Sequence, residues 1–214
     1  MGLHPSYPVN LLLEHRHCLV VGGGELALQK VRGLLEAGAR VTVVASAVHP
    51  ELVELPIELF ERRYEPGEAA RYQLVIAATG NLAENEAIFA DAERSRVFVN
   101  TPDDPAHCSF ITPASGRAGR VSIAISTDGA SPALASFLRD RVIEQLPRNL
   151  ERVSAVIVAT RDSLRAAGRR TEGLNWRGLL NDLFSRPGDV HQDELERVAA
   201  DFAQAAEEDT SPGA

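Results

Sequence analysis

The stretch LVVGGGELA, residues Leu19 to Ala27, sets three glycines between an apolar run and a helix-like pattern. Gly22, Gly24 and Ala27 fit the spacing G-x-G-x-x-A, and each small residue has a physical task. Gly22 permits a tight turn, Gly24 lets backbone approach a pyrophosphate, and Ala27 lets the helix pack closely on the strand. The first helical residues, Glu25 and Leu26 with Ala27, add amide donors and the partial positive charge of a helix N-terminus. The chemistry this predicts is dinucleotide binding. A ribose-binding carboxylate is expected about twenty residues on. Ser46 stands at that strand tip instead, with no acid before Glu51 and no arginine beside it, so the motif leaves NAD and NADP open.

Two further groups could do chemistry. His107 and Cys108 are adjacent, as are His17 and Cys18 with His15 nearby. Neighbouring residues in an extended segment point to opposite faces, and no second His/Cys pair stands close to either. No resident metal is expected. The two cysteines are too few for a disulfide framework, and Cys18 reads as a small buried hydrophobe.

The elements that must position these residues alternate from Cys18 to about Ser126. Candidate strands are Cys18–Val21, Val41–Ala45, Ile57–Phe60, Leu74–Ala78, Val97–Val99 and Val121–Ser126. Most are continuously apolar, as parallel strands covered on both faces are. Leu28, Val31, Leu34 and Leu35 give Leu26–Ala37 a helical stripe closed by Gly38, and Asn81–Arg94 predicts a second helix. This rhythm predicts a Rossmann-like, doubly wound α/β sheet. After Ser131 only helical patterns follow: Pro132–Gln145, Leu150–Ala167, Leu174–Phe184 and His191–Ala206, before a polar, acidic tail.

At 214 residues, with 44% hydrophobic and 24% charged residues, the composition is that of an ordinary globular chain. A formal charge of -8 argues against a general binder of nucleic acid or acidic membranes. No apolar run approaches membrane-spanning length and no secretory leader is evident, so a cytoplasmic protein is expected.

Several segments together resemble the precorrin-2 dehydrogenase family, the N-terminal modules of siroheme synthases and their stand-alone relatives. They are YPVNLLLEHRHCLVVGGGELALQKVRGLLEAGARVTVVA, LVIAATGNLAENEAI, VFVNTPDDPAHCSFITPA and VSIAISTDGASPALASFLRDRV. The resemblance runs from about Tyr7 to Leu146 and weakens over the C-terminal helices; the stand-alone form, without the methyltransferase domain of some relatives, is expected. It implies a Rossmann NAD domain over residues 1–113, a dimerisation and substrate region over 114–147, and a small helical domain over 148–214. The implied reaction is NAD-dependent oxidation of precorrin-2 to sirohydrochlorin by a homodimer. Some members also insert ferrous iron, and others only oxidise.

The resemblance also implies residue roles. Asp103 matches the aspartate of the family's Asn-x-x-Asp-x-Pro motif and is expected to act as general base or to orient the pyrrole nitrogens. Its plain structural reading is a Pro-flanked turn shared with Asp104. Thr79 and Gly80 fall where the cofactor passes, although Gly80 replaces the usual acid and leaves only backbone contact. Asn100 and Thr101 fall at the nicotinamide end. Ser126, Thr127, Asp128, Gly129 and Ser131 are expected to line the tetrapyrrole site, Ser131 being equally a simple helix N-cap. The substrate carries eight carboxylates, for which Arg117 and Arg120 are the nearest cations, with Arg139 and Arg141 behind them. Two other functions stay open at this point: a chelatase that consumes no NAD, and a non-catalytic NAD-binding regulator. A short-chain alcohol dehydrogenase is excluded, because Lys30 is the only lysine and lies in the glycine-turn helix.

Overall fold

The computed structural model describes residues 6–102 and 104–208. The chain divides into two compact units at Thr112/Pro113.

The first unit alternates strand and helix: β1 (His17–Val21), α1 (Glu25–Glu36), β2 (Arg40–Ala45), α2 (Pro50–Val53), β3 (Glu58–Glu61), β4 (Leu74–Ala77), α3 (Leu82–Arg94) and β5 (Phe98–Asn100). The five strands form one parallel sheet in the order β3-β2-β1-β4-β5. The chain builds outward from β1 through β2 to β3, then crosses to β4 on the other side. The β1/β4 boundary is therefore the topological switch point, where open α/β sheets bind ligands beyond their carboxyl ends.

Alternating side chains of the same strands feed two separate cores, which is why the strands read as unbroken apolar runs. Cys18, Val20, Val41, Val43, Leu74 and Ile76 pack with Leu28, Val31 and Leu34 of α1 on one face. Leu19, Val21, Val44, Val75, Ala77 and Val99 pack with Ile88 and Ala92 of α3 on the other. Burial pushes the Cys18 thiol up to about 11, which suits an inert core residue.

The second unit holds an antiparallel hairpin of β6 (Ala114–Ala118) and β7 (Val121–Ile125), then α4 (Pro132–Glu144), α5 (Leu150–Ala166), α6 (Trp176–Phe184) and α7 (Gln192–Glu208). The expected strand Val121–Ser126 thus pairs with β6 rather than joining the parallel sheet, and its side chains alternate in burial, as a two-faced ribbon requires. Strand β6, with the sequence ASGRA, carries no β-branched or aromatic residue and gave no strand signal. Gly116 explains its composition: a Cβ there would lie 2.3 Å from Ile143 Cδ1 of α4, so the helix seats directly on the hairpin. Helices α5 to α7 close over Val153, Val156, Leu179, Leu183 and Leu195.

Candidate dinucleotide site

The glycine turn leaves β1 wedged between the tips of its neighbours. Gly22 has φ +125°, and a Cβ on it would stand 2.1 Å from the Ala78 carbonyl oxygen beyond β4. A Cβ on Gly23 would stand 2.1 Å from the Ala47 carbonyl oxygen beyond β2. The Gly22 amide donates to the Val44 carbonyl at 2.9 Å, and the His49 amide donates to the Gly23 carbonyl at 2.7 Å. Gly22 and Gly23 are therefore glycines because the protein itself closes on them. Gly24 differs: its φ is -85°, and a Cβ there would meet nothing within 4 Å. It is also the N-cap of α1 and provides no side-chain cap, so the Glu25, Leu26 and Ala27 amides are left to an outside acceptor. Ala27 itself is fully buried against the sheet.

A cleft of about 490 Å³ opens at this turn, lined by Gly22 to Gly24, Ser46 to His49, Arg62 to Tyr64, Thr79 and Glu84. Its floor is the carboxyl ends of β1 and β2. Thr79 is fixed through Asn85, whose Oδ1 accepts from the Thr79 amide at 3.2 Å and hydroxyl at 2.7 Å. The Asn81 side chain caps α3 by accepting from the Glu84 amide at 3.2 Å. Gly80, with φ +76°, turns the chain between them outside the cleft lining.

The far wall is the segment after β3, which sequence reading missed. Arg62 forms a fork on Glu68, with Nη1 to Oε2 at 3.0 Å, and Glu68 also accepts from the Glu65 amide at 2.8 Å. Burial is the largest single influence on the Glu68 carboxyl and would raise it; the Arg62 hydrogen bond, the Glu65 amide and the charges of Arg62 and Arg71 together outweigh it and hold the group below its ordinary range. The Tyr64 hydroxyl donates to Asp91 of α3, which also accepts from the Gly67 amide at 2.8 Å. Burial, with that hydrogen bond, pushes the phenol well above its usual range. The only signal for this wall was the topology: Ala45 of β2 pairs with Glu61 of β3, so residues just past both strands lie side by side.

Asn100 and Thr101, at the carboxyl end of β5, are buried and do not line this cleft. They are held by the following loop, with Cys108 at its centre. Asn100 Nδ2 donates to the Phe110 carbonyl at 3.0 Å, the Thr101 amide donates to Cys108 Sγ at 3.2 Å, and Sγ–H donates back to the Thr101 carbonyl at 3.2 Å. Asn100 Oδ1 and Thr101 Oγ1 are buried with no partner among the described residues. Asp103 lies outside the described residues. Its neighbour Asp104 binds His107 Nδ1 at 2.7 Å, which raises the imidazole above its ordinary pKa.

In the second unit, Ser126 to Ser131 form one compact turn between β7 and α4. Thr127 Oγ1 accepts from the Ser131 amide at 3.0 Å, Ser126 Oγ accepts from the Asp128 amide at 3.1 Å, and Ser131 Oγ caps α4 by accepting from the Leu134 amide at 3.2 Å. Asp128 and Gly129 both take positive φ, which produces the reversal. Arg117 of β6 and Arg120 of the hairpin loop are exposed. Among the described residues no group of three or more His, Cys, Asp or Glu could hold a metal ion, and no helix is long and apolar enough to cross a membrane.

The parallel sheet, its switch-point cleft and the uncapped helix behind a glycine turn define a Rossmann-like nucleotide-binding protein. Residues 9–114 match a family model described as NAD(P)-binding, and residues 119–145 match one described as the central region of a sirohaem biosynthesis protein. Siroheme synthase 3 of Aeromonas hydrophila is 37% identical over 163 residues, 74% of this chain and 35% of that protein. Siroheme synthase 2 of Aeromonas salmonicida is 40% identical over 158 residues, 72% of this chain and 33% of that protein. The chain thus spans about a third of the length of the curated relatives it matches. The solved structure named SirC, precorrin-2 dehydrogenase, superposes with a TM-score of 0.66 over 95% of this chain and all of that one; at 24% identity it shows the shared fold. Residues 9–114 and 119–145 are thus similar to an NAD(P)-binding module and to the central region of a sirohaem biosynthesis protein, and the chain resembles part of the siroheme synthases.

Proposed function

We propose that this chain oxidises precorrin-2 to sirohydrochlorin with NAD as the acceptor. The observation that carries the reading is the glycine turn with its uncapped helix at the switch point, in a chain whose relatives are named siroheme synthases. Open space at Gly24, free first-turn amides and a cleft reaching along the tip of β2 fit an extended dinucleotide diphosphate. Bound there, NAD supplies the hydride acceptor, and the hard chemistry belongs to it.

The chain's own residues then bind, orient and move one proton. Precorrin-2 loses a hydride and a proton. Asp103 is the base that takes the proton, a role resting on its motif and its position just after β5. The open hydrogen-bonding capacity of Asn100 and Thr101 supports a role for them at the nicotinamide end. The Ser126–Ser131 turn binds the macrocycle, and Arg117 and Arg120 bind peripheral carboxylates as bidentate cations. A homodimer is supported by α4, whose Leu134, Phe137, Leu138 and Val142 are all exposed in a stripe at helical spacing. The protein works in the cytoplasm, with substrate and product both soluble polyanions.

Anaerobic assay of the wild type and of Asp103→Asn with precorrin-2 and NAD tests the reading. Turnover by the wild type and its loss in the variant, with NAD binding retained, is the expected result. Full activity in Asp103→Asn removes the base, and no turnover by the wild type removes the function. Ferrous iron added to the sirohydrochlorin formed then tests the second step that some family members perform.

A further inference from the structure

Beside the tip of β2 the cleft carries a cation to which the NAD reading gives no role. In dinucleotide folds of this kind a carboxylate at that tip binds the adenosine ribose hydroxyls, and it would repel a phosphate on the 2′ oxygen. Ser46 occupies the position, exposed and facing the cleft, so a neutral hydroxyl stands where the discriminating charge would be. Glu84 is the one carboxylate among the lining residues, and it belongs to the first turn of α3, which follows β4 rather than β2.

The cations of this wall are not equivalent. Arg62 is committed to Glu68, whose side chain is only 7% exposed. His49 stands 3.5 Å from Glu25 and caps α2 through the Glu51 amide. Arg63 lines the same cleft, is exposed, and has no ion pair or side-chain hydrogen bond among the described residues. The strand ends bring it to the cleft: β2 and β3 finish paired at Ala45 and Glu61, and Ser46 and Arg63 follow those ends by one and two residues, both lining the cleft. Adjacent strands are about 4.8 Å apart, well within the reach of an arginine side chain.

We infer that Arg63 and Ser46 form a binding site for a phosphate on the adenosine 2′ oxygen, so that the cleft accepts the 2′-phosphorylated dinucleotide as well as NAD. The inference rests on the reading that the cleft holds a nicotinamide dinucleotide. A phosphomonoester carries about -1.5 to -2 charge near neutrality, and a guanidinium fork beside a hydroxyl donor is well suited to it. Arg63 is thereby the residue that sets cofactor choice.

Calorimetric titration of the full chain with adenosine 5′-phosphate, adenosine 2′,5′-bisphosphate and NAD tests this, since the first two differ only in the 2′-phosphate. The bisphosphate is expected to bind the wild type about tenfold or more tighter than the monophosphate, a preference that high salt weakens. Arg63→Gln should bring the ratio of the two affinities close to one, and Ser46→Asp should invert it. If NAD binds while the bisphosphate has no advantage, or keeps its advantage in Arg63→Gln, this inference fails and the dinucleotide reading stands. If neither NAD nor either adenosine phosphate binds, the dinucleotide reading fails and takes this inference with it.

Discussion

Replacing Gly22 and Gly24 singly by alanine separates what the fold requires from what the ligand requires. At Gly22 the new methyl carbon would sit 2.1 Å from the Ala78 carbonyl oxygen and 2.5 Å from its carbon, both backbone atoms that cannot swing aside. Overpacking of this sort costs about 1–3 kcal/mol, and a left-handed backbone costs an L-residue roughly 1–2 kcal/mol more. At about 2–4 °C per kcal/mol for a chain of this size, Gly22→Ala should melt roughly 4–20 °C below the wild type. Gly24→Ala is different, with φ -85°, ψ -173° and open space around the Cβ. Alanine loses up to about 1 kcal/mol at an N-cap and regains roughly 0.4–1 kcal/mol from a stiffer unfolded chain, so its melting temperature should stay within a few degrees. If the diphosphate lies against Gly24, the methyl stands in its way and NAD affinity should fall about tenfold or more. Thermal unfolding by circular dichroism, with calorimetric titration of NAD, reads both quantities. A Gly24→Ala protein that binds NAD as the wild type does would refute the placement of the diphosphate. A Gly22→Ala protein that melts with the wild type would refute the steric argument.

Glu68→Gln should destabilise the first unit by about 1–3 kcal/mol near neutral pH, by leaving Arg62 half-paired at the cleft wall. The Glu68 pKa is depressed on folding, so its contribution is fully present above the unfolded value and is lost as pH falls through the folded one; unfolding curves of the two proteins should converge in acid. Asp104→Asn should lower the His107 pKa toward the ordinary histidine value, read by NMR titration of the imidazole. The raised folded pKa contributes stability below the unfolded value, which is lost as pH rises through the folded one, so the variant's deficit should vanish in base. Phe137→Asp should convert a homodimer to monomer in sedimentation without unfolding α4, whose stripe is exposed; a wild type already monomeric at micromolar concentration contradicts the proposed interface.

The glycine turn was legible because its constraints are local. A strand, a tight reversal and a helix start fall within ten residues, and spacing alone assigns Gly22 and Ala27 their tasks. The inner strands β1 and β4 were legible for a related reason, since burial on both faces leaves runs such as Cys18–Val21 and Leu74–Ala77 without polar interruption. Strand β6 was not, because Gly116 answers to Ile143, twenty-seven residues away, rather than to strand propensity. The cleft wall was hidden in the same way. Arg62, Arg63 and Tyr64 carry no motif spacing, and only the pairing of β2 with β3, which ends at Ala45 and Glu61, brings them to the cleft that Ser46 lines. Gly23 looked like a spacer inside the motif, and its need for glycine comes from Ala47, beyond the neighbouring strand. Asn100 and Thr101 were singled out by resemblance, while their burial and their anchoring through Cys108 depend on a loop that no periodicity describes.

The most direct measurement is the stoichiometry of one anaerobic reaction of the purified chain with precorrin-2 and NAD, following NADH and the tetrapyrrole spectrum together. The account predicts equal amounts of NADH and sirohydrochlorin, both absent when NAD is omitted. NAD bound in the cleft with precorrin-2 left unchanged would contradict it.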